Sequence, residues 1–451
     1  MSDFISVNDV ALLGHDDSET IQNAIEKAEK DGCRKIVIPR YNMRTDSTAW
    51  RIARTILIPS DFTVVLDNCY MVQETGVYAN MFANSYAFDE DKRDIKYEQK
   101  NIKILGVGNV VLDGGKHNRL REKTTRQFGL PSIWLNNMMF WLNVNGLHIE
   151  NINIEHQRYW AINHVFTRNV TLKNIHFYAI PHVNNLDGID LRVGCNNFKI
   201  ENITGRTGDD VVALTSLWGY SEKHNVINGK DGDIHDVSIK NIKADPNRLY
   251  CLRLLNHDGN KIYNIDVDTI MDTSDYVSKA RSSSALGMGS PIYYKIRHMQ
   301  EGELYNINVK NITTRSNNAV FFNWALENAT ISNLHVFGDG IDMFTPGKHN
   351  GPMSSCTFKN VKFEHLFYGA NQNDMIGGKE LSAEALKGTV FNFTDAKGEI
   401  EINDVHIDSV NRAFVVSGGV KVKVNGYKCN RAYKEFDISP DSEVIVDGEV
   451  K

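Results

Sequence analysis

The chain is predicted to be all-β, a single-stranded right-handed parallel β-helix (a solenoid) with an N-terminal capping helix. Three observations predict it: a cassette of Asn and β-branched residues that recurs at short intervals, little helical periodicity beyond the first coils, and one amphipathic helix near the start. On this reading residues 1–451 form a single domain, with 1–45 as the N-terminal cap and 46–451 as coils with inserted loops.

The capping helix is read from DSETIQNAIEKAEKDG, where Asp17 or Ser18 can cap the start and Gly32 ends it. Ile21, Ala24, Ile25 and Ala28 make one apolar stripe, which would cover the open first coil. KIVIP, TILIP and TVVLDN follow as strands.

The recurring cassette is Asn or Asp, an aliphatic residue, a variable residue, another apolar residue and a second Asn-containing turn, as in LHIENINI, NVTLKNIHF, FKIENITG, DVSIKNIKA and YNINVKNITT. With Asn151, Asn174, Asn202, Asn241, Asp268, Asn311, Asn333 and Asn360 as register marks, the gaps are 23, 28, 39, 27, 43, 22 and 27 residues. Short gaps of this size, made of strands, suit one coil of a β-solenoid, and the long gaps imply inserted loops. The spaced leucines of leucine-rich repeats are missing. Stacked coils lie about 4.8 Å apart, so aliphatic residues pile into a continuous interior while Asn at the bends bonds its neighbours above and below. The Asn cassettes therefore specify fold.

The composition is that of an ordinary globular protein, 41% hydrophobic and 24% charged, and a net charge of −6 gives no general attraction to phosphate backbones. Nucleic acid and membrane are not expected partners. The N-terminus lacks a basic segment followed by an apolar run, which gives a cytoplasmic expectation. Six widely spaced cysteines, without a C-x-x-C pair, read as buried free thiols in a reducing compartment.

Two adjacent cassettes carry clustered acids: NNLDGIDL holds Asp187 and Asp190, and TGDDVVAL holds Asp209 and Asp210. Asp187 and Asp209 are 22 residues apart, one short coil, so stacking brings these carboxylates onto neighbouring rungs of one face. Hydrolysis of a glycosidic bond needs one carboxyl that gives a proton and one carboxylate that activates water or attacks carbon. Crowded acids resist joint ionisation, which keeps a proton on one of them. Asp190 alone is equally well explained as a turn residue. For Asp187, Asp209 and Asp210 together, a purely structural turn would avoid the mutual repulsion by using Asn.

With these residues in place, the sequence resembles the polygalacturonase-like glycoside hydrolases of family 28, of the pectate-lyase-like β-helix superfamily, as a divergent member. The resemblance lies in Trp160-Ala-Ile-Asn-His164, Asn185-Leu-Asp187-Gly-Ile-Asp190 and Gly208-Asp209-Asp210, and in the Ile-Gln-x-Ala-Ile helix at the start; it extends from about residue 5 to residue 315. It implies an inverting hydrolase with Asp210 as general acid and with Asp187 and Asp209 holding and deprotonating the attacking water. Inversion would separate acid and base by about 6.5 to 9.5 Å.

Two departures from the family pattern bear on substrate. The family's Gly-His-Gly stretch falls on Arg248, Leu249 and Tyr250, so its His is absent, and neither His235 nor His257 sits where the motif needs it. Its carboxylate-gripping Arg-Ile-Lys falls on Tyr293-Tyr294-Lys295, which replaces the guanidinium with a phenol and keeps the Lys. Loss of a bidentate clamp suits a neutral sugar better than plain galacturonan.

Further substrate-binding candidates are Trp160, His164, Asn185, Asp190, Trp218, Arg253, Tyr293 and Lys295. His164, paired with Trp160, is expected on the cleft wall, although a lone His commonly packs in a core. Tyr159, Trp160, Trp218 and Trp324 can stack on sugar faces, with Trp218 favoured because it opens the polar insertion LWGYSEKHNVINGKDGD. SSSALGMGS, residues 282–290, is a second candidate wall. Neither a metal-ligand spacing nor a cofactor motif is present, and the expected partner is an oligosaccharide or polysaccharide. Two rivals remain open: a β-helix lyase or uronate-processing enzyme with calcium on the Asp cluster and Arg253 or Lys295 as base, and a glycan-binding β-helix without catalysis.

Overall fold

The structure is a computed structural model, and it describes residues 3–116, 133–180, 185–247, 249–274, 284–290, 293, 296–316, 318–337, 344–346, 356–369, 375–376, 379–380, 382, 384, 386 and 388–451. Its contacts group into two compact units: Met1–Asp210 with Gly219–Gly232, and Val211–Trp218 with Asp233–Lys451. Each unit is a parallel β-coil in which short strands alternate with long ones.

In the first unit the helix Asp17–Lys30 starts one residue earlier than the sequence suggests, because Asp16 is the cap. Its carboxylate accepts the Glu19 N–H at 2.8 Å, and Glu19 accepts the His15 N–H at 2.8 Å. Asp17 and Ser18 are released for another task. Asp17 accepts from Arg44 Nε at 2.7 Å, and Ser18 Oγ accepts the N–H groups of Ala53 and Arg54 at 2.9 and 3.1 Å. The first turn is thus tied to the chain entering the coils, while Ile21, Ala24, Ile25 and Ala28 are buried.

The long sheet of this unit includes Gln99–Val107, Val144–Glu155, Arg168–Tyr178 and Asn196–Arg206, stacked parallel with like residues in register: Leu147 on Val170 on Phe198, and Ile149 on Leu172 on Ile200. The short sheet stacks Met139–Leu142, Ile162–Val165 and Ile189–Leu191. The second unit repeats the plan, with long strands from Ile234–Asp245 to Val420–Ile438 and short strands Val212–Ser216, Tyr250–Asn256, Ser284–Met288 and Asn318–Phe322.

Seven of the long strands bend at an Asn of the cassette. Asn151, Asn174 and Asn202 in the first unit, and Asn241, Asn311, Asn333 and Asn360 in the second, all have left-handed φ between 52° and 66°. Their amides form ladders: Asn202 donates to Asn174 and Asn174 to Asn151, each at 2.8 Å, and Asn333 donates to Asn311 at 3.0 Å. In one coil the bend falls on Thr269, with φ 74°, and the preceding Asp268 supplies the ladder oxygen to Asn311 at 2.8 Å. All six cysteines are free, and four are buried. Among the described residues no helix is long and apolar enough to cross a membrane.

Candidate active site

The acids sit where successive short-sheet rungs of the first unit are zipped by main-chain bonds. Ala161 and Ile162 donate to the carbonyls of Asp187 and Gly188, both at 2.9 Å; Gly188 donates to Asp210 O and Gly208 to Leu186 O, also at 2.9 Å. The 22-residue interval therefore becomes one step up the coil. Oxygens of Asp187, Asp209 and Asp210 lie within 4.8 Å of one another, and the three side chains belong to residues that are 2%, 8% and 0% exposed.

Backbone N–H groups orient the middle acid. Asp209 Oδ2 accepts the Asn185 N–H at 2.9 Å, Asp209 Oδ1 accepts the Asp210 N–H at 3.1 Å, and Thr207 Oγ1 donates to the Asp209 carbonyl at 2.6 Å. Asn185 makes its contribution from a left-handed conformation, φ 61°, which its short polar side chain tolerates. Such donors favour the ionised form of a carboxylate.

Asp190 belongs to a different network. It pairs in register with Asn163 and lies 3.7 Å from Arg192 Nη1; Arg192 Nε donates at 2.7 Å to Glu222, on the helix Tyr220–His224. All three charged residues are nearly inaccessible. The guanidinium also lies 4.4 Å over the ring of half-buried Trp160. Beside it Tyr159 packs against Trp160 and Tyr78, and buried Arg158 holds the Tyr78 loop through the carbonyls of Glu74, Val77 and Gly114.

His164 is not on a cleft wall. Strand alternation points it to the interior, in a column with Trp141 and Leu191, while its neighbour Asn163 takes the outward position. It is fully buried, edge-on to Phe198 at 5.2 Å, and neither ring nitrogen has a hydrogen-bond partner among the described residues. Burial lowers its pKa to about 3.

In the second unit, half-buried Arg253 lies outward on Tyr250–Asn256, with Nη2 3.4 Å from Thr215 Oγ1. The outward position that follows it in the stack is Gly287, on Ser284–Met288. A Cβ on Gly287 would meet the Tyr250 ring at 2.4 Å, so Tyr250 lies where a side chain from that rung would project. Of residues 293–295, where the sequence reading sets the family's Arg-Ile-Lys, Tyr293 lies beyond the strand Ser284–Met288 and is 51% exposed, and Lys295 lies outside the described residues. Trp218 is half-buried, with its backbone N–H donating to Asp258 Oδ2 at 3.1 Å. His257 is structural: it accepts the Met299 N–H at 2.8 Å, so its other nitrogen donates to Ser290 O at 2.8 Å, and burial lowers its pKa to about 4.

Oxygen-rich sets that could hold a cation are the three site acids and the group Asp113, Glu155 and His156. Asp113 is already engaged by Tyr70 Oη at 2.6 Å, Gly115 N–H at 2.7 Å and His156 Nδ1 at 3.0 Å.

Comparison with known proteins fits this geometry. Residues 49–244 match the model of the glycosyl hydrolases family 28, a segment that holds Trp160, Asn185, Asp187, Asp190, Asp209 and Asp210. Over this segment the chain is similar to family 28. Arg253, Tyr293 and Lys295 lie beyond the family 28 segment, which is shorter than the span over which the motifs and strand pattern suggested likeness. No match is found among curated proteins.

Similar solved structures include the family 28 exopolygalacturonase of Yersinia enterocolitica, at 12% identity over 99% of this chain and 78% of that one, with a TM-score of 0.49. A hyperthermoactive exopolygalacturonase from Thermotoga maritima follows, at 15% identity over 99% and 92%, with a TM-score of 0.47. A mutant tailspike protein of E. coli bacteriophage HK620 superposes with a TM-score of 0.54, at 12% identity over 98% of this chain and 81% of that one. At that identity the likeness is one of fold, the right-handed parallel β-helix.

Proposed function

We propose that the protein is a glycoside hydrolase that cleaves a neutral-sugar oligosaccharide or polysaccharide with inversion, using Asp187, Asp209 and Asp210. The observation that carries this reading is the meeting of three buried carboxylates within 4.8 Å, on rungs held by main-chain bonds. One carboxyl protonates the leaving oxygen, and the remaining pair hold and deprotonate a water. The carboxyl oxygens are closer than the roughly 6.5 to 9.5 Å usual between acid and base of inverting enzymes. A third acid supports inversion at this spacing, because it supplies a second oxygen to position the water.

The neutral-sugar preference is supported by the sequence, where Tyr293 stands in place of a guanidinium that would grip a sugar carboxylate. Asp187→Asn, Asp209→Asn and Asp210→Asn are each expected to lower turnover on a glycan panel by about 10² to 10⁴-fold. Wild-type activity in all three overturns the assignment. Asp210 is the expected proton donor; an aryl glycoside with an activated leaving group should then rescue Asp210→Asn, and rescue of Asp209→Asn instead exchanges the two roles. Anomeric proton NMR of the first product should show inversion, and a retained anomer would overturn that part alone.

A cation on the same oxygens is the basis of the calcium-lyase reading. Hydrolysis that continues in chelator, without an ultraviolet-absorbing unsaturated product, separates the two.

A further inference from the structure

A second place in the molecule has the build of a sugar site, and it is made wholly of second-unit residues. Where the short strand Asn318–Phe322 passes into the long strand Ala325–Phe337, Trp324 holds a left-handed φ of 78°. That conformation is costly for a bulky side chain and persists only when the surroundings over-determine it. The surroundings do so. The indole N–H donates to Ser290 O at 3.2 Å, and the ring stacks on His298 with centroids 4.0 Å apart and planes 22° apart.

His257 sets that frame. Through its two ring nitrogens it ties Ser290 to Met299, and its edge faces both His298 and Trp324. The loop behind is braced by Arg297, paired with Glu303, and by the Gln300 N–H donated to Glu303 at 2.8 Å. The indole is therefore presented by a rigid support.

Beside it is an open cavity of about 390 Å³ lined by Met299, Gln300, Glu301, Trp324, Ala325 and Thr357. Its volume falls within the range of small-molecule sites, and its lining pairs one flat apolar face with a carboxylate, an amide and a hydroxyl. A pyranose ring has the complementary form: axial C–H groups on one face, hydroxyl donors and acceptors at the rim. The ionisable lining group is acidic, so it accepts from sugar hydroxyls and repels a uronate carboxylate.

We propose that this cavity is a binding site for a neutral pyranose unit of a glycan, distinct in its residues from the acids that cut. Trp324 supplies the stacking face, and Glu301 and Gln300 take the hydroxyls.

Binding is measured calorimetrically on Asp209→Asn protein, so that the ligand persists whether or not hydrolysis occurs. The probes are tetrasaccharides of β-1,4-linked glucose, mannose, xylose and galactose, with tetragalacturonate as the acidic control. At least one neutral probe should bind, with affinity at least tenfold weaker after Trp324→Gly, a change that removes the ring and suits the left-handed backbone. Gln300→Ala with Glu301→Ala, both exposed and harmless to packing, should weaken the same probe. The site is overturned if no neutral probe binds, if the variants bind as the parent does, or if tetragalacturonate binds tightest through Trp324. Loss of hydrolysis in Asp209→Asn tests the catalytic reading separately.

Discussion

The short strands of the two units follow one plan and differ in what they turn outward. In the first unit the outward column runs Phe140, Asn163, Asp190, and a buried Arg192–Glu222 pair locks its last member. In the second it runs Ala213, Arg253, Gly287, Phe321, with an aromatic ring lying over the glycine. The inward columns of both are aliphatic and interchangeable in kind: Ile162 on Ile189 in one, Leu252 on Leu286 in the other. A solenoid interior constrains every coil in the same way, whereas its outward positions are free to carry chemistry.

The largest effect that would sharpen this contrast is in the first unit. Glu222→Ala leaves the buried Arg192 guanidinium with only Asp190 at 3.7 Å and the Trp160 ring, and should cost about 3 kcal/mol in urea unfolding. Glu222→Gln, which keeps an acceptor for Arg192, should cost less; if Glu222→Ala is neutral, the locked network is not what holds the outward face. Next is the second unit, where Gly287→Ala drives a methyl into the Tyr250 ring and should cost about 1 to 3 kcal/mol in the same assay. An unchanged midpoint would mean that the ring does not lie over the glycine in solution.

The third effect is a slope, small over any one pH unit. His164 is neutral in the folded protein down to about pH 3, while the unfolded chain takes up a proton near pH 6.5. Stability contributed by the neutral ring is present above the unfolded value and is lost as pH falls toward 3, at about 1.4 kcal/mol per pH unit. His164→Leu, matching Leu191 in its column, should remove that share of the slope between pH 4 and 6. An identical slope in the variant places the acid sensitivity elsewhere, for example on His257, whose pKa is lowered to about 4.

What was legible in the sequence follows from this division. The coil could be read because each cassette Asn marks a left-handed bend that few other residues accept. The acid cluster could be read because 22 residues with no inserted loop make one rung. His164 was misread because strand phase is set by a single residue: at 163 the side chain faces out, at 164 it faces the core. Arg192 was overlooked although it stands two residues after Asp190, on the same side of the chain. Its partner Glu222, and Tyr78 beside Trp160, arrive from loops whose course no local pattern encodes.

The amide ladders have a consequence for how such a molecule changes over generations. Asn174 takes one bond from the rung on one side and gives one to the rung on the other, as an interchangeable link in a chain does. Removing or duplicating a whole link leaves the ends able to rejoin, whereas removing half of one leaves a donor facing a donor. Change in whole rungs preserves the ladder, and since successive links are spaced by anything from 22 to 43 residues, the loops that take up the difference are where novelty is cheapest to install.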